Sequence, residues 1–288
     1  MKKILLLTLL SILLHSCKVS ERNDCWYQSW EKELENKVYK QGNNFRYLFC
    51  EDTDIRQRNK LIDDCNKYVM DNLRIINESE YKKLTNIIFV RDYDEMFKYV
   101  NEKLAGTIIC AENTSTNQNF VFCLYEDGKA TSLKHELMHI ISYQKWGEVI
   151  GGTPLIWLSE GLAMYADPTI YCNENSFEKI YAVLMQNNKL LSTHSLIEDF
   201  RGGNPNNKDF DYVRILISYN QSAYIVQYMI DNYGIDKIKQ LWQSGMDDFE
   251  KIFGLKFEDM TSEIEKELNR KYPNPIEFNW EKFYKRCD

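Results

Sequence analysis

The sequence predicts an α+β protein that combines a small β-sheet with a mostly helical C-terminal part. Short runs rich in β-branched and aromatic residues, which are typical of strands, occur at residues 86–91, 106–110 and 119–125. Residues 131–146 and about 155–166 are longer, mainly apolar stretches that favour helices. From residue 177 onwards the apolar residues recur with the period of an α-helix.

The first 17 residues read MKKILLLTLLSILLHSC and have the pattern of a secretory signal. Two lysines precede an apolar run from Ile4 to Leu14, which is short for a membrane span. The last four residues resemble a bacterial lipobox, so we expect cleavage of residues 1–16 and a lipid on Cys17. An ordinary cleavage site after small residues is the alternative. Several acyl chains on one residue would hold the protein stably at a membrane surface.

The composition narrows the range of partners. The chain has 288 residues and a net charge of −7, and no basic stripe balances the acidic excess. Nucleic acid is therefore not an expected partner. A chain of this length can bury a substantial core. Nothing in the sequence indicates the oligomeric state.

Export would favour disulfides among the cysteines. With Cys17 set aside from the eight cysteines, seven remain, so at least one thiol is unpaired. Sequence position suggests Cys110–Cys123 as the first choice of pair, with Cys50–Cys65 and Cys25–Cys287 as weaker choices. No C-x-x-C spacing indicates a structural zinc site.

Residues 17–80 are interpreted as a polar tether followed by an N-terminal helical region. A charged helix is expected around Tyr27 to Tyr39, and the Gln41–Asn44 segment interrupts it. Residues 55–73 place apolar side chains near helical spacing, so one face of this helix packs inward.

Residues 81–172 are predicted to form the lobe that carries the chemistry. A strand at Asn86 to Arg91 precedes a helix near Tyr93 to Leu104. Strands at Gly106 to Cys110 and Asn119 to Tyr125 follow, joined by the polar segment AENTSTNQN. The helix at residues 131–146 comes directly after them.

That helix contains the motif His135-Glu136-Leu137-Met138-His139, which is an H-E-x-x-H motif. A spacing of four puts both imidazoles on one helix face, where their nitrogens can converge on one tetrahedral ion. Thr131 and Ser132 are candidate N-cap residues, and Gly147 is a candidate stop.

Two glutamates complete the predicted site. Glu136 lies beside the ion, at the position of a general base for a water that the ion activates. Glu160, in the stretch WLSEGLA, is the candidate third ligand; two His and one Glu leave a fourth position of zinc open for water. Glu148 and Glu126 are weaker candidates for the third ligand.

The two motifs H-E-L-M-H and W-L-S-E-G-L-A together resemble those of the gluzincin metallopeptidases, in particular the peptidase MA-like group with its second motif W-x-x-E-G-x-A. The resemblance covers about residues 85–265. It implies the zincin fold, one catalytic Zn²⁺ and the hydrolysis of peptide bonds. It does not define the substrate, because function depends on the site rather than the fold.

The resemblance also suggests how a substrate would be held. Zincins pair the substrate backbone with a strand just before the metal-binding helix, so residues 120–125 are a candidate for strand addition; an ordinary core strand is the alternative. Tyr219 resembles a tyrosine that stabilises the oxyanion in gluzincins. Tyr224 is the alternative, and both could equally be core residues. The segment 111–113 is interpreted as a connecting loop.

Residues 173–288 are expected to form a helical C-terminal lobe. Helices are predicted at 177–185, 195–200, 209–233, 235–244 and 257–271, with a break at 201–205. His194 is interpreted as a cap or surface residue. Asp167 is either an orienting partner for a ligand histidine or a plain helix stop before Pro168.

The sequence thus predicts a lipid-anchored zinc endo- or aminopeptidase with a zincin-like α+β fold. Its zinc would be held by His135, His139 and Glu160, with Glu136 as base, and its substrate would be a peptide or protein at the cell envelope. The alternative is a non-catalytic surface lipoprotein that binds a protein or glycan partner.

Overall fold

The computed structural model describes residues 40–42, 44–50, 53–101, 104–110, 118–126, 128–147, 155–169, 175–200 and 211–284. The predicted signal segment, Cys17 and the helix predicted at residues 27–39 lie outside the described residues. Contacts divide the chain into two compact units. One contains residues up to 145 except 75–77, and the other contains residues 75–77 and the chain from Trp146 onwards.

A mixed six-stranded sheet forms the centre of the first unit. Its strands are β1 (Lys40–Gln41), β2 (Phe45–Leu48), β3 (Thr85–Val90), β4 (Gly106–Ile109), β5 (Asn119–Glu126) and β6 (Lys129–Ala130). The order is β1-β2-β3-β5-β4, and β6 pairs with the end of β5. The pairs β2–β3 and β3–β5 are parallel, and β4 is antiparallel to β5. Among the described strands, β4 therefore has a neighbour on one side only.

Two helices accompany this sheet: α1 (Ile55–Ile75) and α2 (Tyr93–Val100). The side chain of Asp92 accepts hydrogen bonds from the backbone N–H groups of Asp94 and Glu95, which caps the N-terminus of α2. Buried apolar residues of α2 pack with those of three strands into one cluster: Leu48, Ile88, Val90, Met96, Tyr99, Val100, Phe120, Phe122 and Leu124. Burial of this cluster is the main force that holds the sheet against α2.

Two predictions for this unit need correction. Residues 45–48 form the strand β2 of the sheet, although they were placed in a helical region. No strand was predicted there, because a run of four residues is too short to show the period of a strand. Residues 120–125 are not an edge for strand addition, because β5 is paired on both sides by β3 and β4. The alternative, an ordinary core strand, is confirmed.

The metal-motif helix α3 (Leu133–Trp146) follows β6 directly and ends just before Gly147, as predicted. The second unit consists of helices: α4 (Ile156–Ala166), α5 (Phe177–Gln186), α6 (Thr193–Glu198), α7 (Tyr212–Tyr233), α8 (Ile235–Ser244), a 3₁₀ turn (Met246–Asp248), α9 (Phe249–Phe253), α10 (Phe257–Lys271) and α11 (Trp280–Tyr284). The long helix α7 packs against α4, α5 and α8.

The predicted α+β fold, with a small mixed sheet and a mainly helical remainder, is confirmed. The functional segments proposed at 17–80, 81–172 and 173–288 stay predictions. Among the described residues, no helix combines the length and the apolar character that crossing a membrane requires.

Two of the suggested disulfides are wrong. Cys50, Cys65 and Cys123 are buried and none of them is in a disulfide, so the pairs Cys110–Cys123 and Cys50–Cys65 do not form. Cys123 lies inside β5, where its side chain fills the core rather than reaching Cys110. The pair Cys25–Cys287 lies outside the described residues.

Glu178 of α5 joins its helix to the end of α10. The Nζ of Lys271 and the hydroxyl of Tyr272 donate hydrogen bonds of 2.7 and 2.5 Å to its carboxylate. Burial opposes ionisation of Glu178, but these hydrogen bonds outweigh it and hold the pKa of the carboxyl below its usual value. The resulting stabilisation is present above the pKa of the unfolded chain and is lost as pH falls through the lower pKa of the folded chain.

We therefore expect Glu178→Gln to lower the melting temperature at pH 7. The difference from the parent chain should shrink below about pH 4, the usual titration range of a glutamate. Thermal unfolding followed by circular dichroism between pH 3 and 7 measures this, with the exposed Glu263→Gln as the control. A difference that stays constant across this range would contradict the assignment.

Candidate metal centre

Helix α3 brings two imidazoles together in the first unit. His135 and His139 are 3% and 7% exposed, and their Nε2 atoms are 3.0 Å apart. The ring planes are nearly perpendicular, at 81°. Residues four apart lie on one face of a helix, and here that face directs both Nε2 atoms to one point. One ion at that point would be within reach of both nitrogens.

Contacts from neighbouring elements fix α3 in place. The Asn72 side chain of α1 donates a 2.9 Å hydrogen bond to the carbonyl of Lys134, the residue before His135. Within α3 itself, the hydroxyl of Ser142 donates to the carbonyl of Met138 at 2.8 Å. Gln144 reaches the side chain of Asn119 at the start of β5, at 3.4 Å. The helix is thus attached near its beginning and near its end.

The start of α3 differs from the prediction. The backbone N–H and the hydroxyl of Thr131 both donate to the carbonyl of Leu124, which ties the segment back to β5 instead of capping the helix. Ser132 has a φ of +63°, which is not the extended conformation of an N-cap residue. Its hydroxyl has no hydrogen-bond partner within the described residues.

Glu160 comes from α4, in the second unit. Nine residues of this helix, from Trp157 to Ala166, are buried, as expected for a helix that is apolar on nearly every side. Glu160 is 5% exposed. The next residue explains the glycine of the W-L-S-E-G-L-A motif. A Cβ on Gly161 would lie 2.8 Å from the backbone oxygen of Ser222 and 2.9 Å from a side-chain carbon of Val226, both on α7.

We expect Gly161→Ala to destabilise the protein by about 1–3 kcal/mol, the usual cost of inserting a methyl group into a packed interface. Chemical denaturation measures the loss. Gly42→Ala is the matched control, because a Cβ there would meet its nearest neighbours only at 3.6 and 3.9 Å. Equal stability of the two variants would show that α4 and α7 do not depend on this close approach.

One side-chain ligand atom from each of His135, His139 and Glu160 lies within 4.8 Å of the other two. The set contains two imidazole nitrogens and a carboxylate oxygen, the donors that zinc takes in catalytic sites with three protein ligands. All three side chains are buried. Burying a carboxylate is costly unless a positive charge compensates for it, which a divalent ion would do. These residues fit a metal ion and could hold one.

Glu136 lies outside this ligand group but next to it on α3. It is 7% exposed, and its side chain lies against the first residue of β4. A Cβ on Gly106 would lie 2.8 Å from both Cγ and Oε1 of Glu136. Gly106 was not among the predicted site residues. A glycine at the start of a strand can mark a close approach of the backbone to another group, and this was the available signal.

The two candidate tyrosines occupy different faces of α7. Tyr219 lies in the middle of this helix rather than at its start, and its ring packs on Phe200 at 5.2 Å. It is one turn before Ser222 and so shares the helix face that meets Gly161, the neighbour of Glu160. Tyr224 points elsewhere: it is buried against the ring of Tyr181 on α5, and burial raises its pKa.

Of the remaining sequence candidates, Glu126 and His194 are described and lie outside the ligand group. Glu126 is exposed at the end of β5. Glu148 and the segment 111–113 lie outside the described residues. His194 is exposed on α6, as the surface interpretation predicted.

Asp167 acts as a helix stop. It follows the last residue of α4, and its carboxylate accepts hydrogen bonds from the backbone N–H and the hydroxyl of Thr169.

A small mixed sheet followed by a helix with two convergent imidazoles, and a buried carboxylate within metal-binding reach, is an arrangement of a peptidase-like enzyme. The family model described as Peptidase MA superfamily matches residues 97–259, which is more than half of the chain. The chain belongs to the Peptidase MA superfamily. The matched range contains both motifs and Tyr219. No curated protein matches the chain.

Proposed function

We propose that the protein is a zinc metallopeptidase of the gluzincin type. The observation that supports this most strongly is the buried group of His135, His139 and Glu160, whose ligand atoms lie within 4.8 Å of one another. Zinc in such a site supplies Lewis acidity, which polarises a carbonyl and lowers the pKa of water.

Glu136 is the proposed general base. It follows the ligand His135 directly in sequence, so its carboxylate lies beside the ion rather than on it. In the proposed reaction, Glu136 accepts a proton from the attacking water as the new C–O bond forms. It then returns this proton to the leaving amine as the C–N bond breaks, and the carboxylate is regenerated.

The edge strand β4 is the proposed binding site for the substrate backbone. It replaces residues 120–125 in this role, because β5 is paired on both sides. β4 begins at Gly106, against which the side chain of Glu136 lies. A peptide that adds to β4 as a further strand would therefore run past the proposed base.

Tyr219 is the proposed donor to the oxyanion. Its helix face meets α4 next to Glu160, whereas Tyr224 is packed against α5. We expect Tyr219→Phe to lower kcat by about 100-fold, the usual cost of one oxyanion donor, with little change in zinc content. Tyr224→Phe is the matched control and should retain most of its activity. Peptide hydrolysis by the purified variants decides between the two tyrosines. If Tyr224→Phe lost more activity than Tyr219→Phe, the role would belong to Tyr224.

We also propose that the protein is exported and anchored to the cell envelope by lipid on Cys17. The support comes from the sequence of residues 1–17, which combines a charged start, an apolar run and a lipobox-like end. Mass analysis of the mature N-terminus tests this: a lipid-modified Cys17 supports the anchor, and an unmodified N-terminus elsewhere contradicts it.

Incubation of the purified mature chain with a mixed peptide library, with and without a chelator, tests the activity. We expect cleavage that the chelator abolishes and added zinc restores. Peptides with blocked amino termini separate an endopeptidase, which cleaves them, from an aminopeptidase, which does not. A chain that binds zinc but cleaves nothing would favour a binding protein instead.

A further inference from the structure

Ser132 lies between β6 and α3, and its backbone is strained. Its φ is +63°, in the left-handed region that residues with a Cβ seldom adopt. The other non-glycine residues with positive φ in the described chain are Asn77, Asn101 and Asn188. Asparagine tolerates this conformation better than most residues, so Ser132 is the unusual member of the set. Such strain is often retained at functional sites.

Burial of the Ser132 side chain is also energetically unfavourable. The residue is 5% exposed, and its hydroxyl has no hydrogen-bond partner in the part of the chain that the structure describes. A buried hydroxyl without a partner loses its hydrogen bonds to water and gains none in return. The hydroxyl therefore does not help to hold the N-terminus of α3. Neither the backbone nor the side chain of Ser132 is explained by stability.

This hydroxyl lies close to the proposed base. A Cβ on Gly106 would lie 2.2 Å from Oγ of Ser132 and 2.8 Å from Oε1 of Glu136. The separation of the two oxygens therefore cannot exceed the sum of these two distances. Ser132 also precedes Glu136 by four residues, and its carbonyl oxygen accepts a 2.9 Å hydrogen bond from the backbone N–H of Glu136. Because residue 106 is a glycine, no side chain stands between the two oxygens at this position.

We propose that Ser132 is a positioning residue for Glu136. Its hydroxyl donates a hydrogen bond to the Glu136 carboxylate when a peptide lies along β4, which holds one carboxylate oxygen and leaves the other directed at the attacking water. A carboxylate only accepts hydrogen bonds, so a hydroxyl donor at this position can fix its orientation. This inference rests on the proposed function, in which Glu136 is the base.

Two substitutions separate this role from a structural one. Ser132→Gly removes the hydroxyl and relieves the backbone strain, because glycine adopts positive φ readily. Ser132→Ala removes the hydroxyl but keeps the strain. We expect kcat to fall about tenfold in both variants, with KM and zinc affinity unchanged. The melting temperature of the metal-free protein should be higher for Ser132→Gly than for Ser132→Ala.

Asn188→Gly is the matched control, since it relieves a positive φ of 53° at an exposed residue outside the ligand group. Its kcat should equal that of the parent chain. If Ser132→Gly keeps full kcat while Glu136→Gln is inactive, the role of Ser132 is overturned and the proposed function stands. If the zinc-loaded parent chain itself cleaves no peptide, the proposed function is overturned and the role of Ser132 with it. Loss of zinc affinity in both Ser132 variants would also overturn it, because the defect would then lie in the ligands.

Discussion

Glu136→Gln is expected to lose peptide hydrolysis by about 10²–10⁴-fold, the usual contribution of a general base, while it keeps its zinc. Glutamine has nearly the shape of glutamate and fills the same space against Gly106, so the fold and the approach of the strand are preserved. An amide cannot accept the proton of the attacking water, so the reaction loses its proton acceptor. The three proposed ligands are unchanged.

Activity and zinc content must be measured on the same preparation of this variant. Glu126→Gln is the matched control, because it makes the same chemical change at an exposed carboxylate of the same unit, outside the ligand group. It should retain both activity and zinc. Full activity of Glu136→Gln would show that another group takes the proton, and the assignment of the base would be wrong.

Glu160→Ala is expected to weaken zinc binding by at least about 100-fold, since even the loss of a residue that only supports a ligand costs 10–100-fold. With Glu160 replaced, the two imidazoles supply only two of the four ligands of a tetrahedral zinc ion. The variant also lacks the buried negative charge that would balance the charge of the ion. Activity should fall with metal content and recover only in part at high zinc concentration. Competition with a coloured chelator measures the affinity.

The two variants should therefore fail in different ways. Glu136→Gln keeps zinc and loses turnover, whereas Glu160→Ala loses zinc first. Glu126→Gln again serves as the control and should bind zinc like the parent chain. If Glu160→Ala bound zinc with undiminished affinity, the third ligand would lie elsewhere, and Glu148 would be the next residue to replace.

The helices and the longer strands of the site were predicted correctly from local spacing, whereas the N-cap of α3 and the short strand β2 were not. The helix of the H-E-x-x-H motif and the separate helix of Glu160 follow from the spacing of apolar residues and from Gly147, which ends the first of them. The strands at residues 85–90, 106–109 and 119–126 follow from dense runs of β-branched and aromatic residues. Convergence of the two imidazoles required only that their helix form, because a spacing of four determines it.

Features that depend on distant contacts were not predictable in this way. The edge position of β4 is set by which strands pair, and β5 has the same apolar character whether it is central or at an edge. Cys123 is buried as a core residue of β5, where an apolar thiol and a disulfide cysteine have the same sequence pattern. The approach of Gly106 to Glu136 joins residues 30 positions apart. No local pattern encodes it.

Titration of the metal-free chain with zinc, with bound metal and peptide cleavage followed together, tests whether the protein is a zinc-dependent peptidase. We expect bound metal and cleavage to rise in parallel and to level off at about one ion per chain, as a single site with three protein ligands requires. Cleavage by the metal-free chain, or a chain that takes up no zinc in this titration, would contradict it.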